Sequence, residues 1–302
     1  MWPHVPVRAR PSGSRSPCLC QSHQNEPASK PSDAAGDDWR GERISHVIEI
    51  TRIQQAAEYL RAAQRVVVFT GAGVSRESGV PTFRDALTGL WANYDPHKLA
   101  TVAGFRANPK LVWDWYAERQ AQLRTVTPNA GHDAIAALEK SIPSVTVMTQ
   151  NIDGLHERAG STDVIALHGD ITRYKCLADC QGNPTEVVIE DLVWDREQGP
   201  PACPHCGAWV RPAVVWFGEM LPPGTFERAV ALTEAADVLL VVGTSGEVQP
   251  AASLPSIARQ HGAKVIEVNP HPSALSRRAH VFLQGPSGEV LPQIVAAMHA
   301  TE

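Results

Sequence analysis

Four cysteines form two close pairs in the chain, and their spacing is typical of a metal site. Cys203 and Cys206 have C-x-x-C spacing with a glycine after the second thiol, which lets two sulfurs and the turn amides face one ion. Cys176 and Cys180 are one residue further apart, still within the ligand spacing of structural zinc sites. Four thiolates complete a tetrahedral shell without an open position for water, so the pattern predicts structural Zn²⁺. Four free buried thiols are the alternative, and His205 is a competing ligand.

A glycine loop directly follows the apolar run 66–69 and could approach a phosphate with its backbone. Gly71 and Gly73 match the first two glycines of the dinucleotide fingerprint G-x-G-x-x-G, which brings the backbone close to a pyrophosphate. The third glycine would fall at position 76, which is Arg76, and the next glycine is Gly79. The loop therefore predicts a bound nucleotide but not hydride transfer.

Polar residues also follow four later apolar runs, at 150–153, His168, 243–245 and Asn269. Gly, Asn, Asp and Ser favour ordinary turns, but five such sites at strand ends are hard to explain as turns alone. Ligands of open parallel sheets bind at the carboxyl ends of the strands. Histidine titrates near neutral pH and suits a general base, although His168 could equally be a core histidine satisfied by hydrogen bonds.

The elements that must position these residues alternate between strands and helices. Helices are predicted at 51–63, 109–126, 130–140, 251–260 and from about 286 to the C-terminus. Strands are predicted at 65–70, 145–149, 164–167, 237–242 and 264–268. This alternation predicts an α/β fold, a Rossmann-like doubly wound parallel sheet. Residues 172–211 interrupt the alternation and are predicted to be a smaller inserted zinc-binding domain.

The first 45 residues differ from the rest in composition. They are rich in Pro, Ser and Arg and show no helical or strand period, which predicts a disordered N-terminal tail ahead of a catalytic domain at 46–302. An Arg- and Ser-rich, acid-poor segment is also typical of organelle transit peptides. We expect a cytoplasmic protein, with mitochondrial targeting by the tail as the alternative.

Composition excludes several classes of partner. The formal net charge is −5, which argues against nonspecific nucleic-acid binding. No run of 18 apolar residues occurs, so no membrane helix is expected. Six cysteines in 302 residues do not make a disulfide scaffold. We expect a monomer without membrane or specific nucleic-acid partners.

Together, these motifs resemble the sirtuins, the NAD-dependent protein-lysine deacylases, over about residues 50–300. The motifs that carry the resemblance are, in chain order, Gly71-Ala72-Gly73-Val74-Ser75, Gly79-Val80-Pro81-Thr82-Phe83-Arg84, Thr149-Gln150-Asn151-Ile152-Asp153, Leu155-His156, His168-Gly169, the four cysteines, Val215-Trp216-Phe217-Gly218-Glu219, Gly243-Thr244-Ser245 and Val268-Asn269. The resemblance implies that NAD lies between the large domain and the zinc domain, with acyl-lysine proteins as substrates entering from the opposite side.

The resemblance also implies roles for individual residues. Those implied to bind NAD are Gly71, Ala72, Gly73, Ser75, Arg84 and Gln150 at the phosphates and ribose, Phe83 over the sugar, Asn151 and Asp153 at nicotinamide, and Gly243, Thr244, Ser245 and Asn269 at the adenosine. His168 would take a proton from a ribose hydroxyl, which attacks the acyl carbon. The products would be free lysine, nicotinamide and O-acyl-ADP-ribose. Val215, Phe217 and Gly218 would pair as a strand with the substrate backbone. His132 and His156 are predicted to be structural.

An arginine within an apolar stripe of a predicted helix bears on which acyl group the protein would accept. Val112, Tyr116, Arg119 and Leu123 share one face of the helix predicted at 109–126. On pattern alone, Arg119 would extend its guanidinium to water. Tyr-x-x-Arg preceded by Ala100 resembles class III sirtuins, in which Tyr and Arg bind an acidic acyl group and the small alanine leaves room. Thr82 stands where other classes carry aspartate, which agrees with this resemblance. We therefore expect removal of succinyl and malonyl groups in addition to acetyl groups.

Three other functions remain as alternatives. An NAD-dependent protein ADP-ribosyltransferase on the same scaffold ranks second. A zinc-ribbon binding module that senses a nucleotide without turnover ranks third. A dehydrogenase ranks last, because the third fingerprint glycine is missing and no acid ends a second strand after the first.

Overall fold

The structure is a computed structural model that describes residues 38–81 and 99–300, with side chains described from residue 49 onward. The helices are α1 (Asp38–Ala62), a 3-10 helix (Ala72–Ser78), α2 (Val102–Ala107), α3 (Pro109–Thr125), α4 (Ala130–Leu138), α5 (Leu155–Arg158), α6 (Thr225–Glu234), α7 (Leu254–Gln260) and α8 (Ser287–His299), with further single 3-10 turns. The strands are β1 (Arg65–Thr70), β2 (Ser144–Thr149), β3 (Val164–Ala166), β4 (Gly169–Cys176), β5 (Val210–Val214), β6 (Val238–Val242), β7 (Lys264–Asn269) and β8 (Val281–Gln284).

Six of the strands form one parallel sheet in the order β3-β2-β1-β6-β7-β8. The chain order reverses between β1 and β6, which makes their carboxyl ends the topological switch point where such sheets bind ligands. The Rossmann-like doubly wound prediction is confirmed. The polar loops predicted from the sequence follow β1, β2, β3, β6 and β7, and therefore lie along one edge of this sheet.

Both faces of the sheet are covered by apolar side chains, as a strand buried on two sides requires. Val66 and Val68 of β1 point to the face that packs on residues of α1, α4 and α8. Val67 and Phe69 point to the other face, where α6 and α7 pack. Burial of each such side chain contributes roughly 1.5–3 kcal/mol. The two cores therefore fix the strand ends from both sides.

One helix boundary and several elements, among them β8 and helices α2 and α6, differ from the prediction. Helix α1 begins at Asp38, ahead of residue 51 and inside the segment predicted to be a tail. The regular apolar face starts only at Ile53, whereas residues 38–50 contain one glycine and no proline, so nothing in them stops a helix from extending backwards. Strand β8 was not predicted, because its four residues at the sheet edge carry too short a pattern.

The second sheet is the antiparallel pair β4 and β5, with an irregular register between Asp170 and Tyr174. The predicted module 172–211 lies on and between these strands, and its buried cluster contains Cys176, Val187, Cys203 and Val210. None of the helices in the described ranges is both long and apolar enough to span a bilayer.

Candidate functional site

Glycines let the loops after β1 and β6 approach each other closely. A Cβ on Gly73 would lie 2.7 Å from the carbonyl oxygen of Gly243, and one on Gly71 would lie 2.8 Å from Cβ of Thr244. Gly243 has a φ of +61°, and its own Cβ would lie 2.4 Å from the backbone nitrogen of Val74. The Gly73 amide donates to the Gly243 carbonyl over 2.8 Å. These glycines are therefore required for loop-to-loop packing, whatever ligand the loops bind.

A polar cluster joins the loop after β1 to the loop after β2. The hydroxyl of Ser75 donates to Oδ2 of Asp153 over 2.7 Å and accepts from Nδ2 of Asn151 over 3.0 Å. The second oxygen of Asp153 accepts from the amide of Leu155. All three polar side chains are at least nine-tenths buried. Three residues predicted to contact NAD are thus brought together, with fixed hydrogen-bond directions.

Two buried histidines lie behind this cluster. Nε2 of His132 lies 3.3 Å from the Ser75 hydroxyl, and Nε2 of His156 lies 2.9 Å from the hydroxyl of Thr70. Their ring centroids are 4.9 Å apart. Burial lowers the pKa of His132, against the opposing charge of Asp153. Burial and then the neighbouring His132 lower the pKa of His156 from 6.5 to about 3. Both rings are therefore neutral at physiological pH.

His168 follows β3 and is half-buried. Its Nδ1 lies 2.9 Å from the carbonyl oxygen of Gln150, and because a carbonyl only accepts, Nδ1 carries the proton. This leaves a lone pair on Nε2, the arrangement that a general base needs. Burial lowers the pKa of His168, and the bond to Gln150 only partly offsets this. The ring is consequently neutral and able to accept a proton at pH 7.

The loops after β2, β6 and β7 are joined by side-chain amides. Nε2 of Gln150 donates to the Thr244 hydroxyl over 2.8 Å. Nδ2 of Asn269 donates to the Thr244 carbonyl over 2.8 Å and contacts the buried Glu267 at 3.3 Å. Ser245 is half-buried beside them and accepts from the amide of Ala274. The predicted adenosine residues thus lie together at the switch point.

On the other side of His168, aromatic residues of α3 and of the segment after β5 meet. The indole nitrogen of Trp216 donates to the Tyr116 hydroxyl over 2.8 Å, and both side chains are buried. Burial raises the pKa of Tyr116 to about 12, so the phenol stays protonated. Ala100 is 8% exposed and belongs to the same apolar cluster. Its carbonyl accepts from the amide of Phe217 over 2.9 Å.

Arg119 lies one turn beyond Tyr116 on α3 and is half-buried. Its guanidinium carbon is 5.0 Å from the ring centroid of Trp115, and burial lowers its pKa from 12.5. No carboxylate of the described ranges forms an ion pair with it. Among the described residues, Arg119 is thus a half-buried cation that forms no ion pair, although the charge of Glu118 opposes the fall of its pKa.

The segment Val215–Glu219 is predicted to pair with the substrate backbone, and in the structure it lies just beyond the end of β5. Strand β5 ends at Val214, Val215 donates to the carbonyl of His168 over 2.8 Å, and the chain then turns at Gly218 with a φ of +85°. Glu219 closes this turn, because its carboxylate accepts from the backbone amide of Trp216 over 2.8 Å. Phe217 is 48% exposed next to the turn.

Sequence reasoning missed a buried ion pair beneath this turn. Arg211 is 1% exposed and donates to Glu219 and to the carbonyl of Val214. Its guanidinium carbon lies 4.0 Å from the ring centroid of Trp216. The available signal was an arginine within the largely apolar run 208–217, followed eight residues later by Glu219.

The four cysteines lie close enough to share one ion, as their spacing predicted. All four Sγ atoms lie within 4.8 Å of one another, and two pairs are 3.6 and 3.9 Å apart. A tetrahedral ion with Zn–S bonds of about 2.3 Å requires sulfur separations of about 3.8 Å. The residues therefore fit structural Zn²⁺. The exposed His205 is not part of this cluster.

Not all of the predicted site residues lie within the described ranges or in a polar cluster. Phe83 and Arg84, like Thr82, lie outside the described residues. Ala72 lies half-buried in the first turn of the 3-10 helix. The roles of all these positions toward NAD and substrate stay predictions.

Comparison with known proteins places this site in a family. The Sir2 family model matches residues 71–250. An NAD-dependent protein deacylase of Ralstonia nicotianae is 52% identical over 80% of this chain and 95% of that protein. A solved Sir2 homolog–NAD complex aligns with a TM-score of 0.72 and 42% identity, covering 81% of this chain and 93% of that one. A Sir2 protein bound to a myristoylated histone peptide aligns with a TM-score of 0.64 and 37% identity, covering 82% and 96%.

The family match spans more than half of the chain and includes the loops after β1, β2, β3 and β6. The sirtuin resemblance is confirmed, whereas the class III assignment stays a prediction. With sheet order, four-cysteine cluster and relatives in agreement, the chain belongs to the Sir2, or sirtuin, family of enzymes.

Proposed function

We propose that this Sir2-family enzyme is an NAD-dependent protein-lysine deacylase that prefers succinyl and malonyl groups and retains acetyl as a second substrate. Its products would be lysine, nicotinamide and O-acyl-ADP-ribose. The observation that carries the acyl preference is the pair of Tyr116 and Arg119 one helical turn apart: a protonated phenol, and a guanidinium that forms no ion pair with any residue in the described ranges.

The hydrogen-bond direction at Tyr116 supports this preference. Because the indole of Trp216 donates to the phenol oxygen, the hydroxyl proton is left for another acceptor. A pKa of about 12 keeps that proton in place at neutral pH. An acyl carboxylate accepts such a bond well, whereas the methyl of an acetyl group cannot accept it.

The charge on Arg119 also supports a preference for succinyl and malonyl groups. A guanidinium remains charged in proteins even when burial lowers its pKa, and a shielded charge without a partner is costly. A succinyl or malonyl carboxylate would relieve this cost with a directional, charge-assisted contact. By contrast Arg211, which is more deeply buried, already pairs with Glu219 and offers nothing to a substrate.

His168 is the residue to which we assign proton transfer. NAD would supply an electrophilic ribose carbon once nicotinamide leaves, and a hydroxyl that attacks the acyl carbon. Nε2 of His168 is the unprotonated nitrogen, because Nδ1 donates to Gln150, and it would take the hydroxyl proton. Asn151 and Asp153 would line the nicotinamide pocket, with Ser75 at the phosphates and ribose. Thr244, Ser245 and Asn269 would bind the adenosine half.

The test compares acyl groups on one lysine peptide. The enzyme is incubated with NAD and acetyl-, malonyl- or succinyl-lysine peptide, and products are followed by mass spectrometry. Arg119→Met should lower succinyl kcat/KM by about 10- to 100-fold, from the loss of a charge-assisted contact, and leave acetyl turnover near wild type. Arg124→Met, at an exposed arginine on the same helix, is the matched control.

Two outcomes would contradict the proposal. Equal loss of both activities in Arg119→Met would make Arg119 a structural residue. ADP-ribosylated protein without O-acyl-ADP-ribose would identify a transferase instead.

A further inference from the structure

We propose that the buried pair of Arg211 and Glu219 is a positioning unit for acyl-group specificity, because it fixes Trp216 and thereby the hydroxyl of Tyr116. The inference rests on the proposed function, in which Tyr116 binds an acyl carboxylate. Neither Arg211 nor Glu219 is proposed to touch the acyl group.

The ion pair contacts Trp216 at two independent points. The guanidinium of Arg211 stacks on the indole at 4.0 Å from its ring centroid. The carboxylate of Glu219 accepts from the backbone amide of Trp216 over 2.8 Å and from Arg211 through its other oxygen. The same ion pair therefore contacts both the ring and the backbone of Trp216. These contacts restrain the side-chain torsions and the local backbone.

This fixation matters because Trp216 determines what the Tyr116 hydroxyl can donate. The indole N–H occupies one acceptor site of the phenol oxygen, so the phenol proton must point elsewhere. A rotated indole would release that acceptor site and let the hydroxyl turn. The bond is 2.8 Å long, and hydrogen bonds weaken steeply when they lengthen or lose alignment, so rotation of the indole away from Tyr116 would break it.

The burial of Arg211 argues against a purely structural role. A buried ion pair is often no more stabilising than apolar side chains of similar volume, and Arg211 is 1% exposed among apolar neighbours. An apolar residue would fill the same space. The positive charge also lies close enough to Tyr116 to act, with Arg119, against the rise of its pKa. Its partner Glu219 acts on that pKa in the opposite direction, so the pair influences Tyr116 through the position of Trp216 and not through a net positive charge.

The test measures the ratio of succinyl to acetyl kcat/KM in Arg211→Met, with the exposed pair member Glu186→Gln as control. Loss of one oriented hydrogen bond should lower the ratio by about tenfold. In a Tyr116→Phe background the same substitution should leave the ratio unchanged, because the hydroxyl through which it acts is gone. Glu219→Gln, at a side chain 21% exposed, should lower the ratio less and keeps the test usable if Arg211→Met does not fold.

A second readout needs no turnover. The chain has 8 tryptophans, and the indole N–H signal of Trp216 in a ¹H–¹⁵N spectrum is assigned by its loss in Trp216→Phe. Arg211→Met should shift this signal and speed its exchange with water, whereas Arg119→Met should not. An unmoved signal, an equal fall in both activities, or an undiminished effect in Tyr116→Phe would overturn the positioning role. If the Trp216 signal moves in Arg211→Met but the wild-type enzyme shows no preference for succinyl over acetyl, the proposed function is overturned instead.

Discussion

All five residues of the central strand β6 are buried, whereas the buried cluster of the module 172–211 consists of Val187 and Val210 with the thiols Cys176 and Cys203. The sheet is fixed by apolar side chains on two faces. The module has too few apolar residues for that, and half of its buried cluster, Cys176 and Cys203, consists of two of the four predicted zinc ligands. The comparison teaches that one chain uses burial to fix the sheet whose loops are proposed to bind NAD, and uses metal coordination to fix the small module.

The largest expected effect is therefore on the module. Cys176→Ser should prevent zinc binding and unfold residues 172–211, because structural Zn²⁺ contributes on the order of 10 kcal/mol or more. Deacylation should be lost, since β4 and β5 flank His168 and the segment that begins at Val215. Hydrogen exchange should become fast in the module and stay slow in β6.

His205→Ala is the control for that substitution, and it should retain one zinc per chain by elemental analysis. A Cys176→Ser protein with full zinc content and a protected module would show that three thiolates suffice and that the module has a core of its own.

A change in the sheet should lower stability by less, but over the whole domain. Leu240→Ala removes a fully buried side chain of β6, and we expect the free energy of unfolding to fall by about 2–5 kcal/mol. Urea unfolding measures this, with the exposed Val193→Ala as control. If the sheet tolerated Leu240→Ala as well as Val193→Ala, burial would not be what fixes it.

The smallest expected effect is the pH dependence of stability that comes from the buried His156. The pKa of His156 falls from 6.5 to about 3 on folding, so the unfolded chain binds a proton that the folded chain excludes. The stability due to neutral His156 is then lost as pH falls from 6.5 toward 3, by up to about 1.4 kcal/mol per pH unit. His156→Gln should remove this part of the slope between pH 7 and 5.

The measurement is urea unfolding at several pH values, comparing His156→Gln with wild type so that any acid loss of zinc is common to both. Parallel slopes in the two proteins would mean that His156 is already protonated in the fold or reaches water.

Much of the large sheet could be predicted, because runs such as 238–242 are apolar and β-branched and glycines mark their ends. The zinc cluster could be predicted as well, since ligand spacing is local. The requirement for glycine at position 73 could not be predicted, because the atom that would clash with a side chain there belongs to Gly243, far along the chain. The turn at Gly218 could not either, because its closure by Glu219 depends on the ion pair with Arg211. The local sequence pattern thus predicts the helices, the strands and the metal ligands. Contacts between segments distant in the chain determine how these parts are oriented.

The hydrogen bond from Val215 to the carbonyl of His168 has a consequence for alignment. His168 bears the proposed base on its side chain and, on its backbone, anchors the start of the segment proposed to bind substrate. If both proposals hold, the substrate lysine and the base are positioned by a single peptide unit. Thermal displacement of the zinc module relative to the sheet would carry that segment and the base together, and the distance that governs proton transfer would change less than the width of the cleft.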